Sequence, residues 1–134
     1  MNVVIDANKI FSSLVRHNSP TLHTILSTEV KLFAPDFLFT EIYRHKERLM
    51  EATHLSQNEF YETFELLFSH LHFFNMRDVN LRHYIQAFQW CKDVDRKDIT
   101  YVALALQLET KIWSGDLELK NGLLSKGIDI FIDL

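Results

Sequence analysis

Four acids stand where a fold could bring them together: Asp6, Glu41, Asp98 and Asp116. Asp6 closes the apolar run VVI, Asp98 opens the apolar stretch ITYVALALQL, and Asp116 follows KIWSG. Glu41 lies in FLFTEIYRH, about two helical turns after Pro35. If they share one cleft, their charges conflict. Two unit charges about 5 Å apart at an effective dielectric near 20 repel by roughly 3 kcal/mol. Four acids form six such pairs, against a domain stability of about 5–15 kcal/mol. A cluster of this kind takes up protons or holds a cation. Oxygen donors from carboxylates suit Mg2+ or Mn2+ better than zinc. A divalent ion held this way lowers the pKa of a bound water and offsets charge on a phosphate. Phosphodiester hydrolysis is the natural reaction, and it needs no nucleophilic side chain.

The elements that must position these acids follow from apolar spacing. Residues 2–5 (NVVI) read as a buried strand, and 7–16 take helical spacing through Ile10, Phe11, Leu14 and Val15. Ser19-Pro20 starts a helix running to about Ser27, a cap followed by proline in the first turn. KLFA at 31–34 is a second strand, after which Asp36 is expected to cap a helix carrying Phe39, Ile42 and Leu49. Ser56-Gln57-Asn58-Glu59 has the capping-box form and leads a helix through Phe60, Phe64, Leu67 and Phe68. LHFFN at 71–75 is a third strand. Helices are expected over 80–92, 96–109 and 116–125, with a fourth strand at 111–114 and a last one, IDIFI, at 128–132. The segment from Ile99 is apolar nearly all round and so should be buried.

Strand and helix thus alternate along the chain, which predicts an α/β fold, a mostly parallel sheet with helices on both faces. Ligand sites in such sheets lie beyond the carboxyl ends of the strands, where the strand order switches. Asp6 and Asp116 sit at two such ends. Asp98 enters from the same side on DVDRKD, and Glu41 lies on the helix after the second strand. Asp95 is a rival to Asp98, but Asp98 has the better spacing to the buried helix, and Asp93 is expected to face solvent.

Bulk composition narrows the function classes. The chain has 134 residues, 47% hydrophobic and 24% charged, as expected for one ordinary globular domain over 1–134. Net charge is −4, which argues against a protein that coats nucleic acid non-specifically. The basic bunch Arg44, Lys46 and Arg48 reads first as a solvated helix face. One cysteine, Cys91, excludes an internal disulfide and is read as core. No leader-like start and no membrane-spanning run are expected, so the anticipated location is cytoplasmic. No glycine-rich phosphate loop is present. An aspartyl-nucleophile phosphatase would place a second aspartate two residues after Asp6, where Asn8 stands. His70 and His72 lack a third ligand at a telling spacing.

The segments VVIDANKIFSSL, DRKDITYVALALQL and KIWSGDLEL resemble, in order, the three aspartate motifs of PIN domains. FLFTEIYRH occupies the place of that family's glutamate helix. The resemblance covers essentially the whole chain and implies a PIN-like three-layer α/β/α sandwich with a mostly parallel central sheet. It further implies a metal-dependent endoribonuclease similar to VapC-type toxins, acting on RNA and held in check by an antitoxin protein. Carried over by motif, Asp6, Glu41, Asp98 and Asp116 would be the catalytic and metal-binding acids, with Mg2+ or Mn2+ as cofactor. Asn8 and Ser114 would orient carboxylates or water from behind. Glu118, two residues past the last aspartate, stands where the family often has a further acid, and it joins that supporting set.

Blander readings stand beside these. Asp6, Asp98 and Asp116 could serve as helix caps, Glu41 could pair with a nearby base, and Ser114 and Asn8 could serve turns. The stripe Phe60, Phe64 and Phe68 reads first as a packing face; its other use would be a groove for a homodimer or an antitoxin. The alternative function is a non-catalytic PIN-like module that binds RNA or protein without cutting.

Overall fold

The computed structural model describes residues 1–15, 19–53 and 55–134, without the side chain of Val15. Four strands form one wholly parallel sheet: β1 (Asn2–Ile5), β2 (Lys31–Pro35), β3 (Leu71–Phe74) and β4 (Lys111–Trp113), in the order β3-β2-β1-β4. Side chains alternate across a strand, and β1 uses both faces. Val3 and Ile5 enter one core with Leu32, Ala34 and Trp113, whereas Val4 enters the other with Ile112. The expected α/β sandwich is therefore present, with an apolar layer on each side of the sheet.

The first core is covered by α1 (Ala7–Val15), α2 (Pro20–Ser27), α3 (Phe37–Arg44), α4 (Lys46–Thr53) and α5 (Gln57–Ser69). The second is covered by α6 (Leu81–Cys91), α7 (Ile99–Gln107) and α8 (Leu117–Leu124). Local chemistry sets several starts. Ser19 caps α2 through the Leu22 amide, with Pro20 at the first helical position. Ser56 and Glu59 make both bonds of a capping box at α5. Tyr101 to Ala105 of α7 are all buried, as an all-round apolar helix must be.

Three expectations need correction. The helix expected to carry Phe39, Ile42 and Leu49 is two helices, broken at His45. The His45 amide reaches the carbonyls of both Glu41 and Ile42, at 3.2 and 3.1 Å, tightening the turn before Lys46 restarts the helix. Ile42 and Leu49 then enter the same core from different axes. Asp36 precedes α3 but makes no side-chain cap bond, because its own backbone is already helical (φ −61°, ψ −30°). Residues 128–132 do not form a strand. They touch the sheet through one bridge, Ile112 to Phe131, and Asp129 takes the Phe131 amide at 3.3 Å. With β4 only three residues long, there is little edge to extend.

The first helix was expected to reach Arg16, which lies outside the described residues. The segment expected as helix over 96–109 opens as a 3-10 turn, Arg96–Asp98, before α7. The stripe on α5 packs within the chain: Phe60 is buried, and Phe64 and Phe68 meet Phe39, with Phe73 against Phe68. Cys91 is buried, and burial pushes its thiol up to about 11. Among the described residues, no helix is long and apolar enough to cross a membrane.

Candidate functional site

Because β1 lies between β2 and β4, the chain runs outward from β1 in one direction and returns to its other side for β4. That reversal leaves a crevice beyond the carboxyl ends of β1 and β4. A cavity of about 530 Å³ opens there, and Asp6, Asn8, Glu41, Asp98 and Asp116 all line it. Four distant stretches of sequence therefore meet in one place.

Asp6 follows β1 and is almost fully buried. One carboxylate oxygen accepts the Lys9 amide at 2.9 Å, and the other accepts the Ser114 hydroxyl. Burial pushes its carboxyl above the ordinary value, more than these two hydrogen bonds hold it down. Ser114, itself buried, also accepts the Asp116 amide at 3.0 Å. It thus ties the end of β1 to the end of β4. Asp116 caps α8 by accepting the Leu119 amide at 3.1 Å through one oxygen. Capping and site-building coexist here, since a carboxylate has a second oxygen.

Asp98 ends the 3-10 turn, and Asp95 caps that turn through the Lys97 amide at 2.9 Å. In a 3-10 turn, residues three apart eclipse one another. The Asp98 amide also bonds back to the Asp95 carbonyl at 3.4 Å, and with Asp116 the two offer three carboxylate oxygens all within 4.8 Å of one another. Asp95 thus stands beside Asp98 in one group of acids. The spacing of three in DVDRKD was the available signal.

The crowding has a measurable consequence. Burial, then the charges of Asp95, Asp116 and Asp6, push the Asp98 carboxyl up to about 7. Its Oδ2 is buried with no hydrogen-bond donor among the described residues. A buried acceptor left unmet costs about 1–3 kcal/mol, more when charged. The donor set is all oxygen, partly desolvated and short of positive charge, so these residues fit a hard divalent cation.

Asp6 and Glu41 share the cavity but stand outside the close group of three. Glu41 is half-buried in the second turn of α3. Asn8 is exposed at the cavity's edge. Glu118 lies in the first turn of α8, exposed, and does not line the cavity. The remaining lining includes residues that the acid pattern did not point to: Phe11, Phe37, Tyr101, His45 and Lys97. Tyr101 is buried with its hydroxyl unpartnered among the described residues, and burial, followed by Glu41, Asp6 and Asp98, pushes that hydroxyl up. It stays neutral and can only act as a hydrogen-bonding group.

Elsewhere the bland readings hold. His70 bonds the Leu66 carbonyl at 2.9 Å and His72 stacks on Phe33. Asp93 is exposed and pairs with Lys126. Arg44 and Arg48 are exposed, and Lys46 sits 4.0 Å from the centre of the Tyr43 ring.

The family profile described as PIN domain matches residues 4–130, a span that contains all five acids of the cavity. No curated protein matches the chain.

Proposed function

The chain belongs to the PIN-domain family, whose members are generally metal-dependent nucleases, and from that premise we propose that it is a divalent-metal-dependent endoribonuclease, the toxin of a toxin–antitoxin pair. One observation carries the reading. Asp95, Asp98 and Asp116 converge within 4.8 Å in a cavity shared with Asp6 and Glu41, and Asp98 Oδ2 there is buried without a hydrogen-bond donor among the described residues. Nothing in the packing of a purely structural site calls for so much unneutralised charge.

On this reading Asp98, Asp116 and Asp95 would hold Mg2+ or Mn2+, with Asp6 and Glu41 completing the site. A divalent ion there would offset charge on the phosphate being cleaved and make a water more acidic. The chain's own residues do the rest. Ser114 and the Lys9 amide fix the Asp6 carboxylate, so it presents a constant face to the cavity. Asp98 would serve as a donor in its ionised form, which its crowded site disfavours until positive charge is supplied. Lys97 lines the cavity and offers positive charge to a neighbouring RNA phosphate.

An antitoxin would exploit the same crowding, since a basic side chain placed among these acids relieves their repulsion. A neighbouring gene for a small DNA-binding protein that relieves growth arrest would support that role. A homodimer in the cytoplasm completes the proposal. It draws support from an exposed apolar row on α6, Leu81, Ile85 and Phe88, 70%, 51% and 44% exposed. Light scattering reads the assembly directly: a monomer at micromolar concentration would end that part.

The function itself is tested by incubating purified protein with total cellular RNA in Mg2+, Mn2+ or EDTA, beside Asp98→Asn. Discrete fragments with metal, absent from both controls, are expected. Folded, inhibitor-free protein that leaves RNA intact under every divalent ion would favour the non-catalytic module instead.

A further inference from the structure

Phe37 is a large ring left partly in the open beside the acids. It opens α3, is 37% exposed, and lines the same cavity as Asp98 and Asp116. It touches the second core only at the edge, through Tyr101. Among the described residues its one ring contact is Tyr101, edge-on, with centroids 6.4 Å apart at 81°.

The contrast with Phe39, two residues along, is informative. Phe39 is more exposed, at 46%, yet it meets the rings of Tyr43, Phe64, Phe68 and Phe73 and does not line the cavity. Its position is explained by the aromatic cluster it joins. Phe37 has no such cluster. Its support, Tyr101, is 4% exposed and belongs to the most buried helix of the fold. The ring is thus mounted on a rigid base and turned toward the place where RNA would be cut.

We propose that Phe37 is a base-stacking platform: an unpaired nucleobase beside the cleaved phosphate lies on its ring, with Phe11 as an apolar neighbour. The inference rests on the nuclease reading and adds to it the feature of the substrate that this chain selects. Every base has a π face, so the platform is tolerant of base identity. It is not tolerant of pairing. A base within a duplex is covered above and below, and drawing it out costs a few kcal/mol. Single-stranded segments present such bases freely. The cavity, at about 530 Å³, falls within the range of about 300–1,000 Å³ that holds one small-molecule-sized group.

The test crosses one protein change with one substrate change. The substrate is a short single-stranded oligoribonucleotide that the wild-type protein cuts at one place, together with versions carrying a single abasic ribose on either side of that bond. Phe37→Ala should raise KM for the intact substrate by about 5- to 150-fold, the equivalent of about 1–3 kcal/mol of stacking. One abasic position should cost wild type the same factor and cost Phe37→Ala nothing further. Phe37→Tyr should restore the intact-substrate KM. The same pattern should appear in affinities read by fluorescence anisotropy in an Asp98→Asn background, where turnover does not enter. If Phe37→Ala and wild type respond equally to base loss, the platform is refuted and the nuclease reading stands. If wild type cuts no RNA with any divalent ion, the nuclease reading fails, and the anisotropy comparison still decides whether Phe37 holds a base.

Discussion

Protons and divalent cations compete for Asp98, and the competition should be visible at ordinary pH. An isolated aspartate has a value of 3.8, whereas Asp98 is held up to about 7 by burial and by Asp95, Asp116 and Asp6. Metal binding requires the ionised form. Each pH unit below about 7 should therefore weaken apparent Mn2+ affinity about tenfold, a loss of about a hundredfold between pH 8 and pH 5. A carboxylate at 3.8 would lose less than about 10% of its affinity over the same range. The stability of metal-free protein carries the same sign. Because the folded-state value is raised, the folded protein binds the extra proton between about pH 4 and pH 7, and stability falls as pH rises through that window. Three units correspond to at most about 4 kcal/mol, an upper bound because water reaches the cavity. Asp98→Asn should flatten the profile and leave metal-free protein more stable than wild type at pH 8. Isothermal titration with Mn2+ in buffers of differing ionisation enthalpy counts the released proton directly. Affinity that is level from pH 5 to pH 8, with no proton released, would refute the account of the cluster.

Other perturbations probe separate parts of the structure. Ser114→Ala removes the hydroxyl that holds Asp6 and receives the Asp116 amide; Mn2+ affinity at pH 8 should fall about 10- to 100-fold, and unchanged affinity would mean the hydroxyl serves the turn alone. Asp95→Asn removes the largest single charge acting on Asp98, so the pH midpoint for Mn2+ binding should move down; a fixed midpoint would show that the Asp95 charge does not reach Asp98. A Cβ on Gly122 would lie 2.5 Å from Val94 Cγ1, so Gly122→Ala should cost about 1–3 kcal/mol in denaturant unfolding. Adding Val94→Ala should recover part of that loss, and a neutral single variant would show that α8 can move away from Val94. Ser56→Ala breaks the capping box of α5 and should cost about 1 kcal/mol, read in the same unfolding experiment.

What could be read from sequence divides along physical lines. Starts of α2 and α5 were legible because Ser19-Pro20 and Ser56…Glu59 act on their own amides within one turn. The four strands were legible because each is a short apolar run with a helix beyond it. The break at His45 was not, since neither glycine nor proline marks it and the bend serves two distant residues, Ile42 and Leu49, that enter one core. IDIFI alternates like a strand, but pairing is a property of its neighbour, and β4 is too short to hold it. Asp6 and Asp116 stood out because strands end beside them. Asp95 and Asp98 compete for one role in the linear sequence, whereas the turn that Asp95 caps brings both beside Asp116. Phe37 and Tyr101 carried no signal at all: an aromatic residue that lines a cavity is written like one that fills a core.

If water cleaves RNA at these acids with a divalent ion's help, the chemistry of the product ends must show it. An end-labelled oligoribonucleotide should be cut in Mg2+ or Mn2+ and not in EDTA, and the products should carry no 2′,3′-cyclic phosphate, because a water nucleophile bypasses attack by the neighbouring 2′-hydroxyl. Asp98→Asn should abolish those products. Cyclic-phosphate ends formed equally in EDTA and by Asp98→Asn would contradict the account, whatever the rate of cutting.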